Sequence, residues 1–200
     1  MNNNKKLSQT AGTVGGMTLI SRLLGFIRDL VIGMQFGATF VADAFFVAFR
    51  IPNVQRKILG EGAISAAFIP VFTEIRNKKG EEDAWKMAAN LFNILLTILI
   101  TSSLALALFA PYIIMVFAPG FPQTSEKFNL TVLLTQWMAP YFLFIGLAVF
   151  CMGILNTYNK VALPAITPAI LNICMILGTL IISPKLDQPI LGLAVGVITG

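Results

Sequence analysis

Long apolar stretches broken by short charged turns organise this chain. No Asp, Glu, Lys or Arg occurs in 87–125, 128–159 or 161–184. A helix needs about 20 predominantly apolar residues to cross a bilayer, and backbone groups in hydrocarbon must be satisfied within the segment, so these runs predict spanning helices. The strict alternation of a membrane barrel is missing. The pattern places helices over 9–36, 40–59, 85–109, 130–158 and 161–182. A sixth begins near 189 and reaches residue 200 after too few residues to cross, so the chain reads as cut. Between the second and third helices, Ala63, Ala67, Phe68, Val71, Phe72 and Ile75 recur at helical spacing beside Ser65, Thr73, Glu74 and Arg76. That amphipathic pattern predicts a separate helix over 61–77 lying along the cytoplasmic membrane surface. The fold class expected is all-α, a polytopic transmembrane helix bundle.

Composition strengthens this reading. Of 200 residues, 56% are hydrophobic and 12% charged, against about 25% charged in an ordinary soluble domain; the mean hydropathy is +0.82. Arg22 interrupts the first apolar run and no small-residue cleavage site follows, which argues against a removable signal peptide. Histidine is absent and the only cysteines, Cys151 and Cys174, sit inside apolar runs. Metal and redox chemistry therefore lose their usual ligands, no cofactor is expected, and the cysteines read as small buried hydrophobes.

Charge gives the orientation. Lys5, Lys6, Arg76, Lys78, Lys79, Lys86 and Lys160 fall on one side of the predicted spans, and Lys127 and Lys185 on the other. By the positive-inside rule the amino terminus is cytoplasmic. Pro52 and Pro140 lie inside predicted helices, where each removes a backbone hydrogen bond. Gly12 with Gly16, and Gly192, Gly196 and Gly200, are spaced for close helix contact.

The unusual feature is charge inside the first span: Ser21-Arg22-Leu23-Leu24-Gly25-Phe26-Ile27-Arg28-Asp29. Three such charges cost about 8 to 10 kcal/mol at the bilayer centre, while some twenty apolar neighbours return about 6 to 12. The helix is marginal against lipid and comfortable beside a wet cavity. Arg22 and Asp29 are seven apart and share a helix face; Asp43 and Arg50 repeat that spacing on the second helix, followed by Pro52, Asn53 and Arg56. Four arginines against two aspartates leave a net positive charge, and the guanidinium fork suits phosphate or diphosphate oxygens. The plain alternative is that Arg22 and Arg56 snorkel to the interface and the aspartates only neutralise neighbours. Arg50 and Lys57 fit that alternative better, and Glu61 and Glu74 read as solvated. No nucleophile, base and oxyanion donors occur in a recognisable order, so catalysis is a weak reading.

The first-helix motif, Ala42-Asp43-Ala44-Phe45-Phe46-Val47-Ala48-Phe49, Ile51-Pro52-Asn53 and Glu61-Gly62-Ala63 together resemble the MurJ (MviN) family of lipid II flippases, within the MOP exporter superfamily. Ala118-Pro119-Gly120-Phe121, Ile154-Leu155-Asn156-Thr157 and Pro164-Ala165 extend the resemblance over nearly the whole chain. It implies a two-lobed alternating-access transporter of about fourteen helices, with this chain supplying most of the amino-terminal lobe. By motif position it implies that Ser21, Arg22, Arg28, Asp29, Asp43, Asn53 and Arg56 line a substrate cavity. The implied partner is lipid II, an undecaprenyl-diphosphate-linked peptidoglycan precursor, with membrane lipids and the cell-wall synthesis machinery beside it and no nucleic acid. The implied location is the bacterial cytoplasmic membrane. Rival readings are a flippase for another polyprenyl-linked oligosaccharide, a multidrug exporter, a membrane enzyme acting on polyprenyl diphosphates, and a noncatalytic scaffold.

Overall fold

The computed structural model describes residues 2–200; the side chains of 2–11, Lys5 and Lys6 among them, and of Glu61 lie outside the described residues. Helices account for the chain in the order α1 (Asn2–Phe36), α2 (Phe40–Lys57), α3 (Ile69–Lys79), α4 (Glu81–Leu108), α5 (Ala110–Phe117), α6 (Glu126–Trp137), α7 (Ala139–Thr157), α8 (Ala162–Leu177) and α9 (Ile190–Thr199). No strand occurs among the described residues. Phe40–Lys79, Glu81–Leu108, Ala139–Thr157 and Ala162–Lys185 are long and apolar enough to cross a membrane. α1 has the length, at 35 residues, but carries Arg22, Arg28 and Asp29 in its second half. The apolar residues that α4 exposes, Ile94, Ile98 and Leu104 among them, suit a hydrocarbon solvent.

Two departures from the sequence pattern have local causes. The pattern separates the second helix from a segment at 61–77, whereas the helix runs unbroken from Phe40 to Lys79. Its middle, Ile58–Phe68, widens into a π-helix, which accommodates Gly60 and Gly62 without ending the helix. The predicted 130–158 helix starts earlier and is divided. Ser125 caps α6, its hydroxyl accepting from the Phe128 N–H at 3.1 Å, and Met138 separates α6 from α7, where Pro140 occupies the first turn. Proline there needs no hydrogen-bond donor.

The chain divides into two compact units, one of residues up to Ala42 with Asn159–Gly200, the other Asp43–Tyr158. In the first, α1 packs along α8, and α9 folds back on α8 and the π-helical turn Gly178–Ile182. That return depends on glycine. A Cβ on Gly192 would lie 2.4 Å from the Ser183 nitrogen, and one on Gly196 would lie 2.6 Å from the Cys174 carbonyl oxygen. Gly12 and Gly16, spaced like these, face open space among the described residues.

The second unit is held by side chains. Ile64, Phe68, Phe72, Leu95, Leu99 and Phe150 form one buried cluster, and Ile51, Leu106, Ile114, Phe128 and Ala139 another. At one end, Trp85 stacks on Tyr158, the Arg76 guanidinium sits 4.7 Å from the Tyr158 ring centre, and the Tyr158 hydroxyl donates to Glu81 at 3.1 Å. Aromatic rings with polar tips are the residues that favour a membrane–water boundary. The cysteines depart from expectation: Cys151 is exposed and Cys174 half-exposed, both as free thiols. A lipid-facing surface asks for no polarity, so an apolar run need not mean an interior position.

Candidate functional site

The candidate residues divide between the two units, and each group is described by itself. In the first, α1 carries Ser21, Arg22, Arg28 and Asp29. Arg28 is the organised one. Its Nε donates to Asp29 Oδ1 at 3.0 Å and its Nη2 to the same oxygen at 2.8 Å. Its Nη1 donates to Asn172 Oδ1 on α8 at 2.8 Å. Asn172 in turn donates through Nδ2 to the Ser21 carbonyl oxygen at 3.0 Å. One amide thus ties a guanidinium to the backbone of its own helix about two turns earlier.

Burial grades this cluster. Asn172 is 6% exposed, the Arg28 side chain 21% and the Asp29 side chain 53%. Gly25 stands between Ser21 and Arg28 on α1, and a Cβ there would meet Asn172 Nδ2 at 3.4 Å. The close approach of α8 to α1 therefore suits a glycine. α1 continues through Gly25 to Phe36 without a break. Arg22 is exposed and makes no hydrogen bond or ion pair among the described residues. The structure thus brings Ser21, Arg28 and Asp29 together and leaves Arg22 outside that network.

In the second unit, α2 carries Asp43, Arg50, Asn53 and Arg56. Asp43 pairs with Lys127 of α6 at 2.7 Å, with side chains 62% and 26% exposed. Lys127 also lies 4.3 Å from the centre of the Phe121 ring, a cation–π contact. Asn53 Nδ2 donates to the Phe49 carbonyl oxygen at 3.2 Å, within its own helix and beside Pro52. Arg56 is half-buried and Arg50 exposed, and neither makes an ion pair among the described residues. Neither seven-residue pair forms: Asp29 takes its neighbour Arg28, and Asp43 takes Lys127.

Sequence reasoning passed over two residues that the structure places in these networks. Asn172 is the only amide side chain between Val161 and Ser183, and that isolation was the available signal. Lys127 figured only in the orientation count. Chemically, the first group offers an anion a guanidinium held from two sides. It has five N–H donors; three bonds use Nε and one N–H on each terminal nitrogen, leaving one N–H on Nη1 and one on Nη2.

Comparison with known proteins converges on one family. The family model described as "Lipid II flippase MurJ" matches residues 32–200. A "Probable lipid II flippase MurJ" of Buchnera aphidicola (Schizaphis graminum) is 39% identical over 188 residues, 94% of this chain and 37% of its own length. The "Lipid II flippase MurJ" of Burkholderia cenocepacia is 37% identical over 94% of this chain and 36% of its own. A "Probable lipid II flippase MurJ" of Vibrio cholerae is 40% identical over 98% of this chain and 39% of its own. The solved structure titled "Lipid II flippase MurJ, inward closed conformation" superposes with a TM-score of 0.78 at 33% identity, covering 93% of this chain and 39% of that one. The chain thus spans little more than a third of the length of the relatives it matches.

Proposed function

This chain belongs to the lipid II flippase MurJ family, and we propose that it forms the amino-terminal part of a multi-pass transporter that moves lipid II across the bacterial cytoplasmic membrane. The reaction makes and breaks no bond. The polyprenyl tail stays in hydrocarbon while the protein shields a headgroup that could not cross unaided, because each polar group left bare in lipid costs several kcal/mol, as a rough figure. Ser21, Arg22, Arg28, Asp29, Asp43, Asn53 and Arg56 belong to the substrate path in this reading. Arg28 and Arg22 hold the diphosphate, and the amino terminus faces the cytoplasm.

The observation that carries the reading is Arg28: a guanidinium on α1 held by Asp29 and by Asn172 of α8, with one N–H on each terminal nitrogen outside those bonds. A bidentate oxyanion such as diphosphate satisfies both at once. The anion's charge also compensates the arginine. Membrane potential acts on what is left uncompensated, at about 2.3 kcal/mol per charge per 100 mV, and so returns the empty, cationic state.

The test is replacement. A strain whose only copy of the protein in its intact form carries Arg28→Ala accumulates lipid II in the inner leaflet and stops growing, while the wild-type copy sustains growth. Purified wild-type protein that releases phosphate from polyprenyl diphosphate would replace this reading with an enzymatic one. Unchanged growth and lipid distribution with Arg28→Ala would overturn the assignment of Arg28.

A further inference from the structure

The Asn172 amide faces two ways. It accepts from Arg28 Nη1 through Oδ1 and donates to the Ser21 carbonyl through Nδ2. The carbonyl it reaches lies in the interior of α1, so the amide takes the second lone pair of an oxygen that also serves the helix. A lone asparagine in an apolar helix is costly to bury, so a smaller or apolar residue would serve better for packing alone. Neighbouring threonines in α8 and the π-helical turn that follows it show the cheaper solution. Thr167 and Thr179 turn their hydroxyls back to carbonyls four residues earlier, Leu163 at 3.2 Å and Met175 at 2.9 Å.

We propose that Asn172 is a positioning residue: anchored on the Ser21 carbonyl, it fixes the rotation of the Arg28 guanidinium so that one N–H on each terminal nitrogen points to the same oxyanion. Asp29 alone cannot do this. A single oxygen, Oδ1, receives both Nε and Nη2, which leaves the guanidinium free to swing about that point. Asn172 supplies the second fixed point from the opposite helix. Its Nδ2 hydrogen bond also settles which end of the amide meets Arg28, since the oxygen alone accepts from a guanidinium. An arginine so held loses less freedom when it binds, which is the source of the affinity. The proposal rests on the reading of Arg28 as the diphosphate ligand and assigns Asn172 no contact with substrate.

The experiment is a double-mutant cycle on the intact purified protein in detergent, with inorganic diphosphate and the undecaprenyl diphosphate lipid as probes. Asn172→Leu removes the tie. Asn172→Thr removes it with little disturbance, because threonine at this position can bond back along α8 as Thr167 does. Both variants are expected to bind either probe about tenfold more weakly, the effect of releasing one charge-assisted hydrogen bond, with melting temperature for the threonine variant close to wild type. In an Arg28→Ala background, which already binds weakly, the same substitutions are expected to add no further loss. Equal losses in both backgrounds would make Asn172 a purely structural tie and overturn the proposal. Undiminished binding by Asn172→Thr would overturn it as well. Unchanged binding by Arg28→Ala alone would instead bring down the diphosphate reading, and the proposal with it.

Discussion

The polar residues of α1 and those of α2 look alike in sequence and end differently. Each helix sets an arginine and an aspartate seven residues apart, yet in the first unit the charges are drawn into a bond between helices, Asn172 to Arg28. In the second, they stay at the surface of a unit whose interior is aromatic and aliphatic: Asp43 reaches out to Lys127 and Asn53 bonds its own helix. The same contrast runs through the packing. The first unit brings backbone against backbone at Gly192 and Gly196, while in the second a Cβ on Gly146 would meet the Leu99 methyl carbons, at 2.6 and 2.7 Å. Charges of one type thus end differently: Arg28 is bridged to a buried amide on a neighbouring helix, whereas Asp43 pairs only with Lys127, its own side chain exposed.

The largest effect expected is at Arg28. Arg28→Ala strips Asp29 and Asn172 of their shared partner and removes the held cation, so growth on this copy alone fails and diphosphate-lipid binding falls about ten- to a hundredfold. Lysine sharpens the contrast between held and free. At position 28 an ammonium cannot bridge Asp29 and Asn172 and still present a fork, so Arg28→Lys should lose about tenfold in binding. Arg22, without a partner among the described residues, acts as a point charge. Arg22→Lys should therefore stay within about threefold of wild type, less than the worth of one charge-assisted bond. Equal losses at both positions, by titration with the same lipid, would erase the distinction.

Helices were legible because hydrophobic runs of the right length have few alternatives in a membrane. The unbroken course from Phe40 to Lys79 was not. Gly60 and Gly62 flank a charged residue, a local pattern that marks a stop, and only tertiary contact reveals that a π-helical turn carries the chain past them. Gly60 packs on Val149, and Gly153 lets Ile64 approach. Arg28 and Asp29 could be singled out from the sequence because charge in an apolar helix is expensive wherever it lies. Their organiser could not: Asn172 lies 144 residues from Arg28, and a single asparagine in an apolar run carries no sign of its partner. Lys127 was hidden likewise, 84 residues from Asp43.

Glycine substitutions test the packing half of the contrast. Gly192→Ala drives a methyl against the Ser183 backbone, which cannot move without shifting the whole turn, so it should destabilise the protein by about 1–3 kcal/mol, seen as a lower melting temperature. Gly146→Ala meets the far end of a leucine, which can rotate. Alanine also favours a helix over glycine by about 1 kcal/mol, so its net cost should be under about 1 kcal/mol. A larger drop for Gly146→Ala than for Gly192→Ala would reverse the assignment of backbone packing to the first unit and side-chain packing to the second.

The smallest effect expected is at the Asp43–Lys127 pair, and it decides what the second helix uses its aspartate for. Both side chains keep contact with their surroundings, and exposed ion pairs contribute about 0 to 1 kcal/mol. Lys127→Met keeps the aliphatic stem against Phe121 and removes only the charge. Melting temperature should hardly change, and added salt should have little further effect on the variant. If Asp43 serves mainly to anchor Lys127, then Asp43→Asn and Lys127→Met are equivalent and transport tolerates both. If Asp43 belongs to the substrate path, Asp43→Asn impairs transport while Lys127→Met does not. The proposed assignment predicts that inequality. It follows from the same distinction that separates Arg28 from Arg22: a charge's role is set by what holds it, and Asp43 is held by a single ion pair with its own side chain exposed.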